Sequence, residues 1–280
     1  MLHDDVTRFQ LVASFLSTES LDNCGKGVKS LQAALPADRQ ATLWAGETAA
    51  ANQGGQSGIT DTYIDGFWYL DQLGQMAALN VTVFLRQQML ASSGYPLVEI
   101  NENGAENGAE TETAATGGVL NPLPDYWIAR LHKQLMGTTV LSIASSAADI
   151  RVYAHCAIGS GGVTVAFLNI ALKNAVNVTL PEALAAAPAR EEFMLTAGTP
   201  ITGAKNPLQS KTVLLNGTPL QLVPPPRGGG ANGGVPSLPV SAGRLVPQKQ
   251  KADGSPTVVA IPPSTYGFMR FAGASVAACQ

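Results

Sequence analysis

The chain has few charged residues. Only 13% of its 280 residues are Asp, Glu, Lys or Arg, and 17 basic against 20 acidic side chains leave a net charge of −3. The basic residues are scattered, so no Lys/Arg cluster is present to attract a polyanion over long range. We therefore expect no nucleic-acid partner, and a strongly sulfated polymer is disfavoured as a ligand.

Long apolar runs and a leader-like beginning are also missing. No run of about 18 apolar residues occurs, so we expect no membrane-spanning helix in this sequence. Met1–Asp5 lacks the basic and apolar regions of a signal peptide. Taken alone, these absences predict a cytosolic chain. Hydrophobic residues still make up 45% of the sequence, which is enough for a sizeable folded core.

Cysteine is scarce, and sequons argue for a different compartment. The 3 cysteines leave open a cytosolic chain with reduced thiols. Asn-x-Thr sequons, which accept glycans only in secreted proteins, begin at Asn80, Asn177 and Asn216. Sequons also arise by chance, so the residues alone leave both compartments open.

The first half of the chain alternates helix-like and strand-like segments. Val6–Leu35 has apolar residues at helical spacing and ends before Pro36. Asn52–Gly58 is a glycine-rich loop, and Thr60 or Asp61 would cap the helix that follows it. The remaining elements predicted here are a strand at Thr42–Glu47, a helix at Thr60–Leu79, a strand at Val81–Arg86 and a helix at Asn121–Met136.

After Gly137 the pattern changes to short alternating segments, which predicts an all-β region. Asn101–Gly118 and Pro224–Pro256 are expected to be exposed loops, since the first is polar and the second is rich in Gly, Pro and Ser. The predicted strands are Val140–Ile143, Arg151–Cys156, Val163–Leu168, Val176–Leu180, Glu192–Leu195 and Gly267–Phe271.

The run Thr42–Thr48 ends in a way that suggests chemistry. Its apolar, strand-like residues stop at Gly46 and the lone carboxylate Glu47. In a β/α barrel the carboxyl ends of the parallel strands form the floor of the active site. Glu47 is therefore our candidate nucleophile; the alternative is a solvated glutamate that merely precedes a loop.

Several further motifs follow in order and cover the chain from about Phe15 to its end. Together they resemble the heparanase-like members of glycoside hydrolase family 79. The motifs are Phe67-Trp68-Tyr69-Leu70-Asp71-Gln72-Leu73-Gly74, Arg86-Gln87, Pro122-Leu123-Pro124-Asp125-Tyr126-Trp127, Tyr153-Ala154-His155-Cys156, Arg190-Glu191-Glu192-Phe193, Val213-Leu214-Leu215-Asn216-Gly217 and Val276-Ala277-Ala278-Cys279.

The resemblance implies an α/β plus all-β fold in two domains. Residues 1–137 would be the C-terminal part of a (β/α)8 TIM barrel, its last two strand–helix units, and residues 138–280 a β-sandwich domain. A complete barrel needs roughly 250 residues. We therefore expect a truncated chain whose open sheet edge and apolar faces favour aggregation or a partner.

The chemistry implied is that of a retaining β-glucuronidase. Such enzymes need two carboxyl groups about 5 Å apart, a nucleophile and an acid/base. Glu47 matches the nucleophile, whereas the acid/base glutamate of the family follows an asparagine on an earlier strand. The only Asn-Glu here is Asn101-Glu102, in a polar run typical of a solvated loop. We expect the isolated chain to be inactive.

The resemblance also implies substrate contacts. Gln87 matches a glycan-contacting glutamine, and Arg86 is either a further contact or a structural ion pair. Gly54 and Gly55 match, within one residue, a glycine-rich turn whose amides meet the uronate carboxylate, and Tyr95 matches a tyrosine that contacts the same group. A half-buried loop aromatic is the alternative for Tyr95.

Two side chains are expected to be structural. Trp44 lies inside its strand rather than at the end, so barrel packing is expected for it. His155 is interpreted as a core or edge side chain of the β domain, which does no chemistry in the family.

By the same resemblance, Cys156 and Cys279 form a disulfide and Cys24 is free. The full-length protein would be secreted, in the cell wall, vacuolar or lysosomal, or membrane-associated, and glycosylated at Asn80, Asn177 and Asn216. Its partner would be a glucuronic-acid-containing polysaccharide or proteoglycan, with no cofactor and no metal.

Three functions stay open at this point. The first is a retaining β-glucuronidase-type hydrolase whose catalysis needs residues absent from this chain. The second is a non-catalytic glycan-binding or scaffold protein derived from the same family. The third is a subunit that completes its barrel with a separate N-terminal chain.

Overall fold

A computed structural model describes residues 12–36, 42–52, 54–101, 119–159, 161–223, 240–241, 245, 247–251 and 257–280. The helices are α1 (Thr18–Ala34), α2 (Asp65–Ala78), α3 (Pro124–Leu135) and the one-turn α4 (Glu182–Ala185), with a 3-10 turn at Ala277–Cys279. The strands of the first part are β1 (Leu43–Thr48), β2 (Val81–Arg86), β3 (Leu90–Ala91), β4 (Val98–Asn101) and β5 (Val119–Pro122).

The remaining strands belong to the second part of the chain. They are β6 (Met136–Leu141), β7 (Ile150–Ala157), β8 (Gly162–Asn169), β9 (Val176–Thr179), β10 (Ala189–Ala197), β11 (Val213–Leu215), β12 (Thr218–Pro219), β13 (Leu222–Val223), β14 (Val240–Ser241), β15 (Gln248–Lys251), β16 (Val258–Ile261) and β17 (Thr265–Ala272).

In the described part of the predicted segment Val6–Leu35, residues 12–14 are helical and α1 follows from Thr18. Its N-cap is Ser17, whose hydroxyl accepts a bond from the Ser20 amide at 3.5 Å. The helix ends at Ala34, ahead of Pro36, as the sequence predicts. Residues 6–11 lie outside the described residues.

β1 and β2 form a parallel two-stranded sheet, with α2 between them in sequence. Ala45 pairs with Phe84, and both line the side where Trp68 of α2 packs. Trp44 is on the opposite side and is 66% exposed. The packing expected for Trp44 is therefore absent in the described part of this chain, since no described strand or helix covers that face.

Helix α2 begins later than predicted, at Asp65 rather than Thr60, and Ile64 at its N-cap makes no side-chain bond. Thr60 and Asp61 bond instead to the preceding loop. Thr60 Oγ1 accepts from the Gln56 amide at 2.7 Å, and Asp61 Oδ1 accepts from the Gly58 amide at 2.6 Å. The two residues predicted to cap the helix therefore stabilise the loop before it.

The predicted helix Asn121–Met136 is shorter, because its first residues pair as a strand. β5 is antiparallel to β4, with Asn121 opposite Glu99, and α3 begins at Pro124. Of the predicted loop Asn101–Gly118, only Asn101 is described, and it belongs to β4. β3 pairs with β4 on its other side.

The second part is built on an antiparallel sheet. Its strand order is β12-β11-β10-β17-β8-β7-β6, and β15 pairs with the first half of β10. Every residue of β8 is buried, and β17 is nearly so, because both of their faces are covered. β6 starts directly after α3, so the predicted strand Val140–Ile143 begins four residues earlier, at Met136.

Each face of this sheet packs on a different layer. On one face, Tyr266 and Phe268 of β17 pack in one core with three aromatic residues. These are Tyr63 of the loop before α2, Phe67 of α2 and Trp127 of α3. On the other face, the two-stranded sheet of β9 and β16 and the short helix α4 cover Phe167, Met269 and Phe271. The helices and the sheet thus share one continuous core.

The stretch Pro224–Pro256, expected to be an exposed loop, is described only in part. Within Pro224–Pro256, short strands β14 and β15 are described, and most of the remaining residues lie outside the described ones.

The disulfide joins Cys156 of β7 to Cys279, and Cys24 is free, which is the pairing that the resemblance implied.

Candidate active site

Glu47 and Gln87 lie at the carboxyl ends of the neighbouring strands β1 and β2. Thr48, next to Glu47, is opposite Arg86 in the register, and its backbone oxygen accepts from the Gln87 amide at 2.9 Å. The Thr48 hydroxyl donates to the Leu85 carbonyl at 2.8 Å. Glu47 is exposed, so its side chain is accessible to a ligand.

The predicted uronate contacts meet beside these strand ends. Gly54 and Gly55 adopt positive φ of 87° and 84°, a backbone that favours glycine. A Cβ on Gly55 would overlap the Tyr95 ring, and a Cβ on Gly94 would overlap the Gly54 carbonyl. The two loops therefore pack directly on each other. Thr60 Oγ1 donates to the Gly94 carbonyl at 3.0 Å and fixes this contact.

Tyr95 connects this loop pair to Arg86. Its side chain is buried, at 5% exposure, and the Arg86 guanidinium carbon is 5.5 Å from the centre of its ring. Trp68 and Tyr69 of α2 approach the same guanidinium at 5.7 and 5.4 Å. Arg86 is thus enclosed by aromatic rings, which favours a cation–π arrangement.

Arg86 makes the structural ion pair that the sequence left as an alternative. Its Nη2 is 3.0 Å from Asp65 Oδ2 and 2.8 Å from Asp125 Oδ2, and its Nη1 donates to the Gln87 carbonyl. The side chains of all three charged residues are almost fully buried. The ion-paired Arg86 thus holds the backbone at Gln87 through its bond to the Gln87 carbonyl.

Burial controls the protonation of this cluster. It raises the pKa of Asp65 well above its usual range, and Asp125 raises it further, against the lowering effect of Arg86. Burial also raises the pKa of Asp125, although Arg86 opposes it. Ionising both carboxyl groups beside one cation costs free energy, so the cluster favours a protonated form of one of them. Burial alone would lower the pKa of Arg86, but the two acids raise it.

Sequence reasoning gave no role to Asp65 or Asp125. Asp125 stands within a motif quoted for the resemblance, and Asp65 within a segment predicted as an amphipathic helix. The available signal was a single acid inside an otherwise apolar stretch, since an unpaired charge is rarely placed in a core. Asp65 Oδ1, Asp125 Oδ1 and Arg86 Nε have no hydrogen-bond partner among the described residues.

Other expected residues lie away from this site. His155 is buried beside His132, and its Nδ1 is 2.6 Å from the Gly137 carbonyl, which fits the core interpretation. Asn80 and Asn177 are exposed. Asn216 has its side-chain amide bonded to the backbone of β10, through the Met194 amide and the Glu192 carbonyl, both at 2.9 Å.

Neither a metal-ligand cluster nor a membrane-spanning helix is present within the described ranges. No group of three or more His, Cys, Asp or Glu is placed to hold a metal ion. No helix there has the length and apolar character needed to cross a bilayer.

The fold is that of glycoside hydrolases. The solved structure of a 4-O-α-L-rhamnosyl-β-D-glucuronidase from Fusarium oxysporum 12S aligns over 93% of this chain and 50% of its own, with a TM-score of 0.57 and 15% identity. A GH51 α-L-arabinofuranosidase from Thermotoga petrophila RKU-1 aligns over 92% and 48%, with a TM-score of 0.50 and 12% identity. At these identities the likeness concerns the fold alone.

Sequence relatives narrow the class to one family. Residues 6–74 match the glycosyl hydrolase family 79 N-terminal domain. Baicalin-β-D-glucuronidase of Scutellaria baicalensis is 36% identical over 66% of this chain, and the heparanase of Gallus gallus is 32% identical over 75%. Heparanase-like protein 1 of Arabidopsis thaliana is 31% identical over 71%. The chain belongs to glycoside hydrolase family 79.

The match is to a part of these relatives. The aligned region covers 31% of the baicalin-β-D-glucuronidase, 37% of the Gallus gallus heparanase and 36% of the Arabidopsis thaliana protein. The chain thus spans about a third of the length of each.

Proposed function

We propose that this chain carries the nucleophile side of a retaining β-glucuronidase-type active site that acts on uronic-acid-containing glycans. The acid/base carboxyl group would come from barrel residues outside this sequence. The observation that supports the proposal is the convergence of Glu47, Gln87, the Gly54–Gly55 turn and Tyr95 at one end of the parallel strand pair.

We propose further that β1–α2 and β2 with α3 are the last two strand–helix units of a (β/α)8 barrel, and that residues 138–280 form its β-sandwich domain. Two features support this assignment. β1 and β2 are parallel and separated by a helix. Trp44 and Leu85, on the side away from α2, are 66% and 49% exposed, as expected for a barrel interior whose other strands are absent.

In this proposal Glu47 attacks the anomeric carbon and forms a glycosyl ester, while the external carboxylic acid protonates the leaving oxygen. Water then hydrolyses the ester with the same external group acting as base. Glu47 must be ionised to attack, and its exposed position at the strand end leaves its carboxylate hydrated before substrate binds.

The uronate subsite would be formed by the Gly54–Gly55 turn, Tyr95 and Gln87. Glycines allow backbone amides to approach a carboxylate closely, and a tyrosine hydroxyl can donate to it. The relatives named as a baicalin-β-D-glucuronidase and as a hyaluronoglucuronidase of Hirudo nipponia support a glucuronide as the substrate class.

The test is hydrolysis of a chromogenic β-glucuronide. The chain would be compared with a version extended upstream by the N-terminal barrel of a family 79 relative. We expect activity only in the extended version, and a fall of about 10³-fold or more in its kcat for Glu47→Gln. The matched control is Glu182→Gln, because Glu182 is an exposed glutamate on α4 and should leave kcat unchanged.

A labelling experiment identifies the nucleophile directly. A glucuronic-acid-configured cyclitol epoxide is opened by a carboxylate nucleophile, and peptide mass analysis then locates the ester. A label on Glu47 supports the proposal. A label on another carboxylate, or full activity of Glu47→Gln, would assign the nucleophile elsewhere.

A non-catalytic glycan-binding protein is the second candidate. It is favoured by one observation: within the described ranges no hydrogen bond or ion pair holds the Glu47 carboxylate. Binding of a glucuronide to both versions of the chain without any turnover would favour this function over hydrolysis.

We also propose that the full-length protein enters the secretory pathway. It would then be secreted, in the cell wall, vacuolar or lysosomal, or membrane-associated. The Cys156–Cys279 disulfide and the exposed sequon residues Asn80 and Asn177 support it. We expect an endoglycosidase to decrease the mass of the protein, and this decrease to be lost in Asn80→Gln and Asn177→Gln.

We propose a separate N-terminal barrel chain as a partner. Co-expression of the two chains followed by co-purification tests it.

A further inference from the structure

Lys211 lies just before β11, in the antiparallel part of the molecule, yet its side chain reaches the loops around the candidate site. Its Nζ is 3.3 Å from Asp61 Oδ2 and pairs with Glu99 Oε1. The lysine side chain is 20% exposed, whereas the Asp61 and Glu99 side chains are 1% and 5% exposed. One cation therefore neutralises two nearly buried carboxylates from separate segments.

Asp61 is in the loop that carries Gly54 and Gly55, four residues before α2 begins. Its carboxylate accepts bonds from the Gly58 amide at 2.6 Å and from the Ser57 hydroxyl at 3.1 Å. It thereby fixes the backbone of the turn just after the two glycines. The antiparallel part adds a second tie to this loop, because Gln209 Nε2 donates to the Gly58 carbonyl at 2.7 Å.

Glu99 is on β4, four residues after Tyr95. Its Oε2 accepts from Asn121 Nδ2 at 3.3 Å, across the β4–β5 pair. The chain between Tyr95 and Glu99 is tied to the end of β2, since the Leu97 amide donates to the Gln88 carbonyl at 2.8 Å. A displacement of Glu99 would therefore be passed to the Tyr95 loop.

The charges make this arrangement dependent on Lys211. Two carboxylates held in low dielectric repel each other, and a cation between them reverses the sign of that interaction. Burial alone would lower the pKa of Lys211, but the hydrogen bond to Glu99 and the charge of Asp61 raise it, so the ammonium stays charged. Without that charge, the two segments lose the attraction that draws them together.

We infer that Lys211 is a positioning residue that sets the spacing between the Gly54–Gly55 turn and Tyr95, and so tunes the uronate subsite from the antiparallel part of the molecule. This inference rests on the proposed function, in that the two segments are taken to bind the uronate. It gives the antiparallel part, for which the sequence suggested no chemistry, a role in substrate recognition.

The first test measures hydrogen exchange in the chain as it stands, and so needs no activity. The Thr60 amide donates to the Gln56 carbonyl at 2.9 Å within the first segment, and the Leu97 amide donates to the Gln88 carbonyl at 2.8 Å in the second. In Lys211→Met we expect both amides to exchange at least tenfold faster. The amides of β8 and β17 should be unchanged. Unchanged exchange at both Thr60 and Leu97 would overturn the inference.

The second test measures kinetics in the extended version. Lys211→Met should raise KM for a β-glucuronide about tenfold with kcat within about threefold, and should leave the weak hydrolysis of the matching β-glucoside unchanged. Lys211→Arg should restore most of the KM, since it keeps the charge. The control Lys173→Met removes an exposed lysine and should change nothing.

Two outcomes of the kinetic test separate this inference from the proposed function. An unchanged KM in an active Lys211→Met enzyme overturns the inference alone. Absence of any activity in the extended wild type overturns the proposed function, while the exchange measurement still decides whether Lys211 couples the two segments. If Lys211→Met does not fold, Lys211→Met combined with Glu99→Gln removes the stranded charge, and the same KM change is expected.

Discussion

The two main sheets of this molecule differ in how many of their faces are covered by other elements. The antiparallel sheet is covered on both faces, by helices on one and by β9, β16 and α4 on the other. The parallel pair of β1 and β2 is covered on one face, and Trp44 and Leu85 on its other face are exposed. The candidate catalytic residues lie on the incomplete sheet, whereas most of the buried core belongs to the complete one.

The contrast shows how the site is held despite its open surroundings. A lone pair of strands has little stability of its own. Here its ends are tied to the complete part by buried charges: Arg86 binds Asp65 of α2 and Asp125 of α3, and Lys211 binds Asp61 and Glu99. Both helices pack against the antiparallel sheet. The complete region therefore acts as the support on which the strand ends are placed.

The largest expected effect compares two tryptophans. Trp127 is 1% exposed in the shared core, and Trp44 is 66% exposed on the open face. Trp127→Ala should lower the free energy of unfolding by about 3–5 kcal/mol, because it leaves a cavity in a packed core. Trp44→Ala should change it by less than about 0.5 kcal/mol. Urea denaturation followed by circular dichroism measures both.

The same pair also tests whether the open face is a barrel interior. In a version extended upstream by the missing strands, Trp44 would be buried, and Trp44→Ala should then cost about 3 kcal/mol or more. An equal, small effect in both versions would show that the added strands do not cover β1 and β2.

A second, smaller effect concerns the buried acids. Arg86→Met should cost about 3 kcal/mol at neutral pH, because it leaves two carboxyl groups buried without their cation. Arg130→Met, which removes a partly exposed arginine of α3, is the matched control and should cost much less. Urea denaturation at pH 7 provides the comparison. A loss as small as that of the control would mean that water reaches Asp65 and Asp125.

The pH dependence of this cluster has a definite sign. The folded-state pKa of Asp65 is raised, so its neutral form is the favoured one. The corresponding stability is fully present below the unfolded pKa of about 3.9 and is lost as pH rises through the folded value. Asp65→Asn keeps a neutral hydrogen-bonding group, so it should remove this decline of unfolding free energy at high pH. An unchanged slope would place the titration on another group.

How far the sequence could predict these features depends on the range of the interactions. The positions of Glu47 and Gln87 at strand ends follow from local patterns, since an apolar run that stops at a polar residue is visible in the sequence. Helices α2 and α3 and strands β1, β2, β6–β10 and β17 were likewise predicted in part from local patterns, whereas β3–β5 and β11–β16 were not. The start of α2 was not, because Thr60 and Asp61 bond to the loop before it rather than to the helix.

The clusters around the site could not be predicted, since their members are far apart in the chain. Lys211 and Glu99 are 112 residues apart, and Asp125 is 39 residues from Arg86. No spacing rule connects such residues before the helices and strands are placed. The exposure of Trp44 was also missed, because the apolar pattern of β1 does not tell which of its two faces another element covers.

The smallest predicted effect concerns His132, in the region whose sheet is covered on both faces. Its contribution to the free energy of unfolding changes with pH in the opposite direction to that of Asp65. His132 of α3 packs beside His155, with ring centres 5.9 Å apart. Burial, with smaller contributions from His155 and Lys133, lowers the pKa of His132 from 6.5 to about 4. Burial also lowers the pKa of His155, against its bond to the Gly137 carbonyl.

A lowered histidine pKa means that the fold favours the neutral ring. The stability that depends on this is fully present above the unfolded pKa of 6.5 and is lost as pH falls towards about 4. We expect a loss on the order of 2 kcal/mol between pH 7 and pH 4.5, after allowance for solvent at this partly buried site. His132→Gln should flatten that slope and leave the Asp65-dependent decline at high pH in place. If His132→Gln instead changed both limbs of the pH profile, the two regions would titrate as one unit, and the distinction between a complete and an incomplete sheet would not describe their energetics.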